Sequence, residues 1–222
     1  MFDQSTTRGR ILSAAMECAA AKSWADVTLL DIAGAAKLQL AELRGEFAGK
    51  ADMLAAILRC VDDEVLKRAP RRAAGQDARD ALFDVVMTRF DVLAPYKAAL
   101  KSIHASGPAD LALAGPFLSS QHWMLEAAGI GTDGGTGMLR ISGLAWTYAA
   151  VFAVWLKDDD PGLARTMAAL DRRLRRGERT IRSVERVGSV LHRLANEGPG
   201  FIRSVLRGRE KPDAGPEAGA PR

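Results

Sequence analysis

Two short helical segments separated by a two-residue break constrain the fold of this chain more than any other feature. Thr28 and Asp31 fit the S/T-x-x-D/E capping signature, which predicts a helix start at residue 29. The helix over 29–36 is short and rich in alanine, and a second helix over 39–47 follows a break at 37–38. Apolar residues recur at helical spacing in the second helix, at Leu40, Leu43 and Phe47. Two short helices joined by a tight turn, with a helix on each side, predict a helix-turn-helix unit.

The flanking sequence predicts an all-α fold with two domains. A helix over 10–21 carries one apolar stripe, and a longer helix opens at residue 50. We therefore expect an N-terminal three-helix helix-turn-helix domain over 1–53 and a larger helical ligand-binding and dimerisation domain over 54–195. Residues 196–222 are rich in Gly, Pro, Ala and charge, which predicts a partly disordered tail.

The first quarter of the chain resembles the TetR family of bacterial regulators (TetR/AcrR-like). The matching string covers 28–36 and is preceded by a similar first helix at 10–15, and it continues with Leu38, Leu43, Phe47, Lys50, Met53 and Leu54. The resemblance implies a ligand-responsive, DNA-binding transcriptional regulator. It implies a repressor that binds a pseudo-palindromic operator on double-stranded DNA as a homodimer. It also implies DNA contacts at Thr28, Gln39, Leu40, Glu42, Arg44 and Lys50.

The charges of the second short helix depart from a typical DNA-reading surface. Glu42 and Glu46 lie one turn apart with Arg44 between them, so we expect Arg44 to pair with a neighbouring glutamate. Carboxylates oppose the phosphate contacts that dominate DNA affinity, although one Glu can accept from cytosine N4. Residues 1–60 hold seven basic and seven acidic side chains, so no basic footprint is obvious. Lys37 stands where the family usually has glycine, and a left-handed turn there costs on the order of 1 kcal/mol relative to Gly.

These charges leave a second interpretation open, which is a TetR-like protein with a degenerate DNA-reading helix. An aromatic-rich helix, the Asp-Asp-Asp-Pro turn at 158–161 and an arginine-studded amphipathic helix follow one another. This order is similar to lipid-binding accessory proteins of ubiquinone biosynthesis, which also have a TetR-like fold. The alternative function is therefore that of a lipid- or quinone-binding accessory protein. The arginines over 172–186 fit a solvated helix face, or contact with nucleic acid or an anionic membrane.

Apolar and aromatic side chains of the larger domain are candidates for lining a ligand pocket. Helices are expected at 78–93, at 95–105 and at 109–128, the last one bent at Gly115-Pro116. The candidate lining residues are Met87, Phe90, His104, Phe117, Trp123, Tyr148 and Phe152. These residue types favour a small apolar or aromatic effector, although they are equally typical of an ordinary core.

Two helices near the end of the larger domain are expected to form a homodimer interface. The helix over 138–157 is apolar on more than one face, which implies burial on more than one face. The helix over 161–183 carries an apolar stripe at Leu163, Met167, Leu170 and Leu174. The pair resembles the dimer-forming helices of TetR-like proteins. An intramolecular bundle is the alternative.

Catalytic function and a membrane span have no support in the sequence. No Ser-His-Asp set and no metal-ligand spacing is visible, so we expect no enzyme activity, no catalytic residue, no metal and no cofactor. Cys18 and Cys60 are expected to be buried, inert thiols facing the core of the small domain. No stretch of about 18 uninterrupted apolar residues and no apolar leader is present, which predicts a cytoplasmic protein without a membrane span.

Overall fold

Helix boundaries in the amino-terminal quarter follow the capping signals of the sequence. The computed structural model describes residues 1–107, 111–134 and 136–178. Helix α1 spans Thr7–Ala21, α2 spans Leu29–Ala35, α3 spans Leu40–Glu46 and α4 spans Lys50–Arg68. The Thr28 hydroxyl accepts from the Asp31 amide at 3.1 Å, and the Asp31 carboxylate accepts from the Thr28 amide at 2.7 Å. This reciprocal cap starts α2 at the predicted residue and confirms the helix-turn-helix arrangement.

The turn between α2 and α3 has the left-handed backbone expected of it. Lys37 has a φ of 55°, in the region that favours glycine. The Leu38 amide donates to the Ala33 carbonyl at 2.9 Å, and the Lys37 amide donates to the Gly34 carbonyl at 3.1 Å. Because both bonds satisfy carbonyls at the end of α2, the turn tolerates a lysine at this position.

Four further helices complete the described part of the larger domain. Helix α5 spans Ala78–Leu93, α6 spans Lys97–Ala105, α7 spans Ala114–Ala127 and α8 spans Gly137–Trp155. Short 3-10 turns at Ala94–Tyr96 and Leu111–Leu113 precede α6 and α7. The backbone is helical again over 164–178. No strand occurs within the described ranges, so the fold is all-α as predicted.

The bend expected at Gly115-Pro116 is wrong. Helix α7 begins at Ala114, so Gly115 and Pro116 lie in its first turn. A proline there loses no helical hydrogen bond, because the first amides of a helix have no partner within it. The proline therefore marks a helix start and not a kink within a longer helix.

One hydrophobic core runs through all these helices. It begins with Ile11 and Leu12 on α1, which are almost fully buried, and extends to Leu170 and Leu174 in the 164–178 segment. Helix α4 runs through the domain boundary predicted after residue 53, so a single helix joins the two parts of the core. The boundaries at 53 and 195 stay predictions.

The two cysteines are less buried than the sequence predicts. Cys18 and Cys60 are half-buried against the core, and not fully buried as expected. Burial raises the pKa of both thiols.

Among the described helices, α8 alone is long and apolar enough to cross a membrane by length and composition, with a mean hydropathy of 1.3. The predicted tail over 196–222, the end of the 161–183 helix beyond residue 178 and most of the arginine-rich stretch lie outside the described residues.

Candidate functional site

The α2–α3 unit presents five of the six predicted DNA-contacting residues to solvent. Thr28, Gln39, Leu40, Glu42 and Arg44 are all exposed. Leu40 is 43% exposed. Lys50, the sixth residue, is only half-exposed. The predicted contacts therefore separate into five solvent-facing residues, at the cap of α2 and on α3 and its cap, and one lysine held by the protein.

Thr28 and Lys50 both have intramolecular partners where the family resemblance predicts phosphate contacts. The Thr28 hydroxyl donates to the Asp31 carboxylate at 2.6 Å. The Lys50 ammonium donates to the Trp24 and Val27 carbonyls, the latter at 2.8 Å, and lies 4.4 Å from the centre of the Trp24 ring. Burial lowers the pKa of Lys50. An ammonium has three N–H donors, so one remains for a phosphate.

Glu42 is turned towards the start of its own helix. Its carboxylate accepts from the Gln39 amide at 2.8 Å, which satisfies one of the unpaired amides at the beginning of α3. A negative charge in the first turn also complements the positive end of the helix dipole. Glu42 therefore has a structural role that is independent of DNA.

Glu46 is paired with a residue of α1. The Arg8 guanidinium lies 3.8 Å from the Glu46 carboxylate and donates to the Glu46 carbonyl at 3.3 Å. The same guanidinium lies 4.4 Å from the centre of the Phe47 ring. The ion pair compensates the charge of Glu46. It also engages Arg8, one of the few basic side chains near α3, the helix predicted to read DNA.

Arg44 does not pair with either glutamate, which overturns the expectation of a local ion pair. Its side chain is exposed, and it has no hydrogen bond or ion pair with the described residues. Helical geometry explains this outcome, because residues two apart on a helix do not face each other. Arg44 and Lys37 are thus exposed basic side chains beside the exposed Gln39 and Leu40.

Five of the seven predicted ligand-lining residues come together in one aromatic cluster of the larger domain. The Phe90 ring stacks on Tyr148 at 5.7 Å and on Trp155 at 5.3 Å, and Phe152 lies 5.9 Å from Tyr148. Phe117 and His104 join at the edge, 6.0 Å from Tyr148 and 5.9 Å from Phe152 respectively. We call these rings, namely Phe90, His104, Phe117, Tyr148, Phe152 and Trp155, the aromatic cluster.

The other two predicted lining residues make no ring contact with this cluster. Trp123 is 48% exposed and packs edge-on against His122, with ring centres 5.3 Å apart. It therefore faces solvent and is a correction to the predicted lining. Met87 is half-buried against the hydrophobic core. Trp155 belongs to the cluster instead, because it lies seven residues after Tyr148 on the same face of α8.

Buried polar side chains adjoin the aromatic cluster, and sequence reasoning missed them. Arg89 is 1% exposed, donates from Nε to the Tyr148 hydroxyl at 3.1 Å and pairs with Asp62. Ser120 donates to the same Asp62 oxygen at 2.5 Å, and Gln121 beside it is fully buried. The signal was present, since Arg89 follows Val85 and Val86 at the spacing of the apolar face of α5.

The electrostatics of this buried group keep Arg89 and Tyr148 in their ordinary ionisation states. Burial by itself lowers the pKa of Arg89, and the nearby oxygens of Tyr148 and Asp62 more than offset it. Burial also raises the pKa of Tyr148. Arg89 therefore stays protonated, and Tyr148 stays a neutral phenol that has an O–H to donate.

Helix α6 connects the aromatic cluster to the loop after α1. The Trp24 amide donates to the Ser102 hydroxyl at 2.9 Å, and the Ala25 amide donates to the Ser106 hydroxyl at 3.1 Å. The Ser102 hydroxyl also donates to the Lys22 carbonyl at 2.9 Å. We call these bonds the serine clasp. Since His104 of the same helix contacts Phe152, one short helix touches both the cluster and the small domain.

An open surface groove lies away from the predicted lining residues. It has a volume of about 460 Å³ and is lined by Arg79, Asp80, Phe83, Asp84, Met167, Ala168, Asp171 and Leu174. Its three carboxylates each have a partner: Asp80 pairs with Arg79, Asp84 accepts from Gln76, and Asp171 pairs with Arg175. The buried polar side chains around Arg89 are therefore a better guide to a ligand site than this groove. No group of His, Cys, Asp and Glu suited to a metal occurs in the described part of the chain.

The fold is shared with solved structures of TetR-family transcriptional regulators. A TetR transcriptional regulator from Nitrosomonas europaea is 26% identical and has a TM-score of 0.61, over 78% of this chain and 98% of its own. One from a Rhodococcus species is 21% identical with a TM-score of 0.56, over the same shares of the two chains. A tetR-family regulator from Streptomyces coelicolor is 17% identical with a TM-score of 0.57, over 90% of this chain and 95% of its own.

These likenesses define the class of fold. No protein-family model matches the chain, and no curated protein matches it. The chain has the TetR-like fold, with an N-terminal helix-turn-helix domain and a helical second domain. The likeness to the Nitrosomonas europaea regulator supports a transcriptional regulator as the kind of protein.

Proposed function

We propose that this protein is a ligand-responsive DNA-binding transcriptional regulator, a repressor that binds a pseudo-palindromic operator as a dimer. The observation that carries the proposal is which side chains of α3, the proposed DNA-reading helix, have partners within the protein and which are exposed. Both of its carboxylates have partners within the protein, whereas Gln39, Leu40 and Arg44 are exposed. Among the exposed side chains of α3 and its cap, Gln39, Leu40 and Arg44 thus suit DNA, and Glu42 is engaged at the start of the helix.

Each exposed residue has a chemistry that matches a base edge or the backbone. Arg44 is suited to guanine or to a phosphate, Gln39 to adenine, and Leu40 to the methyl group of thymine. Thr28 and the third N–H of Lys50 are suited to phosphates, as in the family that the chain resembles. The free oxygen of Glu42 remains an acceptor for cytosine N4.

The second copy of the chain is the proposed partner of α8. Only 22% of the apolar stretch of α8 is buried within one chain, and Met138, Leu139 and Trp146 are exposed on it. Met167 in the following helix is exposed as well. An exposed apolar surface of this kind is typical of an interaction site. A copy related by two-fold symmetry covers this surface and places two reading helices on two operator half-sites. Such a regulator works in the cytoplasm.

The aromatic cluster is the proposed effector site, and the serine clasp is the proposed route to the DNA-binding domain. An effector that enters the cluster displaces Phe152 and His104, and His104 is part of α6. Helix α6 holds the 22–25 loop through Ser102 and Ser106. The effector then shifts the population towards a state in which the two reading helices do not match the operator.

The experiment that tests the proposal is a salt titration with the DNA upstream of the protein's own coding sequence. Wild-type protein is expected to bind selectively, with affinity falling steeply as salt rises. Arg44→Ala is expected to weaken selective binding by at least about tenfold, which corresponds to about 1.4 kcal/mol. Arg71→Ala is the matched control, since Arg71 is exposed on the loop after α4.

One observation favours the alternative function of a lipid- or quinone-binding accessory protein. Arg8 and Lys50 are basic residues of the small domain, and both are engaged within the protein. If the wild-type protein does not bind DNA even at low salt, this alternative replaces the repressor. The aromatic cluster would then serve a lipid or quinone ligand.

A further inference from the structure

The side-chain amide of Gln121, which bonds to Phe117 of the aromatic cluster, has an unmet hydrogen bond. Gln121 is fully buried on α7. Its Nε2 donates to the Phe117 carbonyl at 3.0 Å, whereas its Oε1 is buried without a partner. A buried acceptor without a donor is costly, so native proteins rarely leave one without a reason.

The orientation of this amide determines what is missing. If the amide were flipped, its oxygen would face the Phe117 carbonyl oxygen, and its N–H groups would lose their acceptor. The nitrogen must therefore face Phe117, and the unmet group is an acceptor. A partner for Gln121 must supply a hydrogen-bond donor.

Tyr148 has the complementary requirement. Arginine can only donate, so the Tyr148 hydroxyl is the acceptor in its bond with Arg89. Its own O–H is left to donate, and Tyr148 makes no second hydrogen bond within the described residues. Phe117 lies next to both residues, since its ring centre is 6.0 Å from that of Tyr148 and its carbonyl accepts from Gln121 Nε2. The two residues together offer one donor and one acceptor.

The charges around this site favour a neutral ligand. Arg89 and Asp62 cancel each other, and Ser120 donates a further hydrogen bond to Asp62. A ligand carboxylate would add an uncompensated charge to a site from which water is excluded, which is strongly unfavourable. A hydroxyl is the smallest neutral group that both donates and accepts.

We infer that the effector site takes a neutral aromatic molecule that carries a hydroxyl group. The ligand ring packs among Phe90, Tyr148 and Phe152, and its hydroxyl donates to Gln121 Oε1 and accepts from Tyr148. Phe117 and Phe152 are half-buried and His104 is exposed, so the cluster reaches the surface along this edge. The inference rests on the proposed effector site and names the ligand class.

Calorimetric titration of the full-length protein without DNA tests this assignment with three probes that share one ring system. The probes are 2-naphthol, 2-methoxynaphthalene, which lacks the donor, and 2-naphthoate, which is charged. Wild-type protein is expected to bind 2-naphthol about tenfold more tightly than the methoxy compound, the effect of one hydrogen bond to a buried group. The naphthoate is expected to bind more weakly than both.

Gln121→Leu is expected to abolish the preference for 2-naphthol while keeping affinity for the shared ring. Ser119→Ala is the matched control, because Ser119 is exposed on the same helix, and this variant should keep the preference. If Gln121→Leu does not fold, as judged by circular dichroism, Tyr148→Phe replaces it. That variant keeps the ring, and its preference is expected to fall severalfold.

Three results would overturn the inference. They are no binding of any probe to wild-type protein, an unchanged preference in the Gln121 and Tyr148 variants, and tightest binding of the naphthoate. The first would mean that the aromatic cluster does not take this class of ligand. Since these titrations contain no DNA, their failure is distinct from a failure of the protein to bind its operator.

Discussion

Glu42 and Glu46 both lie on the helix proposed to read DNA, and both are held by neighbouring groups of the protein. Glu42 accepts from the Gln39 amide, and Glu46 pairs with Arg8. A glutamine at position 42 can still accept from the same amide, because its side chain keeps the oxygen. The charge of each residue can therefore be removed without losing the structure around it.

Removing both charges is expected to strengthen non-specific DNA binding. A carboxylate about 10 Å from a phosphate opposes binding by about 0.4 kcal/mol in water, so Glu42→Gln with Glu46→Gln should gain about fourfold in affinity. Fluorescence anisotropy with non-specific duplex at low salt measures the gain. Asp133→Asn, which removes an exposed charge from the loop before α8, should leave affinity unchanged. No gain in the double variant would mean that the two carboxylates do not face the phosphates.

Asp31, at the start of α2, makes the stability of the fold depend on pH. The Lys22 ammonium and the Thr28 hydroxyl, both bonded to its carboxylate, hold the pKa of Asp31 well below its usual range. The carboxylate therefore stabilises the fold at pH values above its unfolded pKa of about 4. That stabilisation is lost as the pH falls through the lower, folded pKa.

Replacing Asp31 should remove this pH dependence. Urea denaturation of wild-type protein and Asp31→Asn between pH 7 and pH 3 is expected to show the larger wild-type stability at neutral pH. The advantage should shrink as the pH falls below about 4. Asp91→Asn, which changes an exposed carboxylate on α5, should show no such trend. A wild-type advantage that is constant down to pH 3 would contradict the role given to the carboxylate.

Among whole elements, α6 has a disproportionate number of polar contacts for its nine residues. Ser102 and Ser106 accept from the Trp24 and Ala25 amides, and Lys97 pairs with Asp159 near the end of α8. These contacts tie the loop after α1 to the larger domain. A change in the position of α6 is therefore transmitted to the DNA-binding domain through specific hydrogen bonds.

Loss of the serine clasp should be visible directly at the two amides that it protects. In Ser102→Ala with Ser106→Ala, hydrogen exchange at Trp24 and Ala25 is expected to accelerate, since their acceptors are gone. Each lost bond should lower the free energy of unfolding by about 1 kcal/mol. Thr88→Val is a matched control, because the Thr88 hydroxyl bonds only within its own helix. Unchanged exchange at both amides would remove the clasp from the proposed route.

The elements that the sequence predicted well are those with strong local signals. The reciprocal cap at Thr28 and Asp31 and the strained turn at Lys37 depend on neighbouring residues only, and both appear as expected. The aromatic cluster depends on packing between distant helices, so residue type alone could name five of its rings but could not show that Trp123 lies outside it. Gln121 could not be predicted, because its unmet acceptor exists only once α7 is packed in the core.

For the whole molecule, the outer face of α8 is an apolar surface that the described residues leave uncovered. Leu144, Tyr148 and Trp155 are buried in the core, whereas Trp146 is 76% exposed on the same helix. A helix that is apolar on two faces needs two partners, and the chain's own core provides one of them. The second partner in the proposed regulator is the symmetry-related copy, because two half-sites require two reading helices at fixed spacing.

A charge at the centre of this face should separate the two copies. Trp146→Glu removes a large buried aromatic contact from the proposed interface and places two carboxylates near the two-fold axis, where neither has a partner. Sedimentation velocity is expected to show a monomer for this variant and a dimer for wild-type protein, and operator affinity should fall by at least about tenfold as the second half-site contact is lost. Trp123→Glu is the matched control, because Trp123 is also exposed but lies on α7. A dimer that survives Trp146→Glu, or one that Trp123→Glu dissociates equally well, would move the interface away from α8.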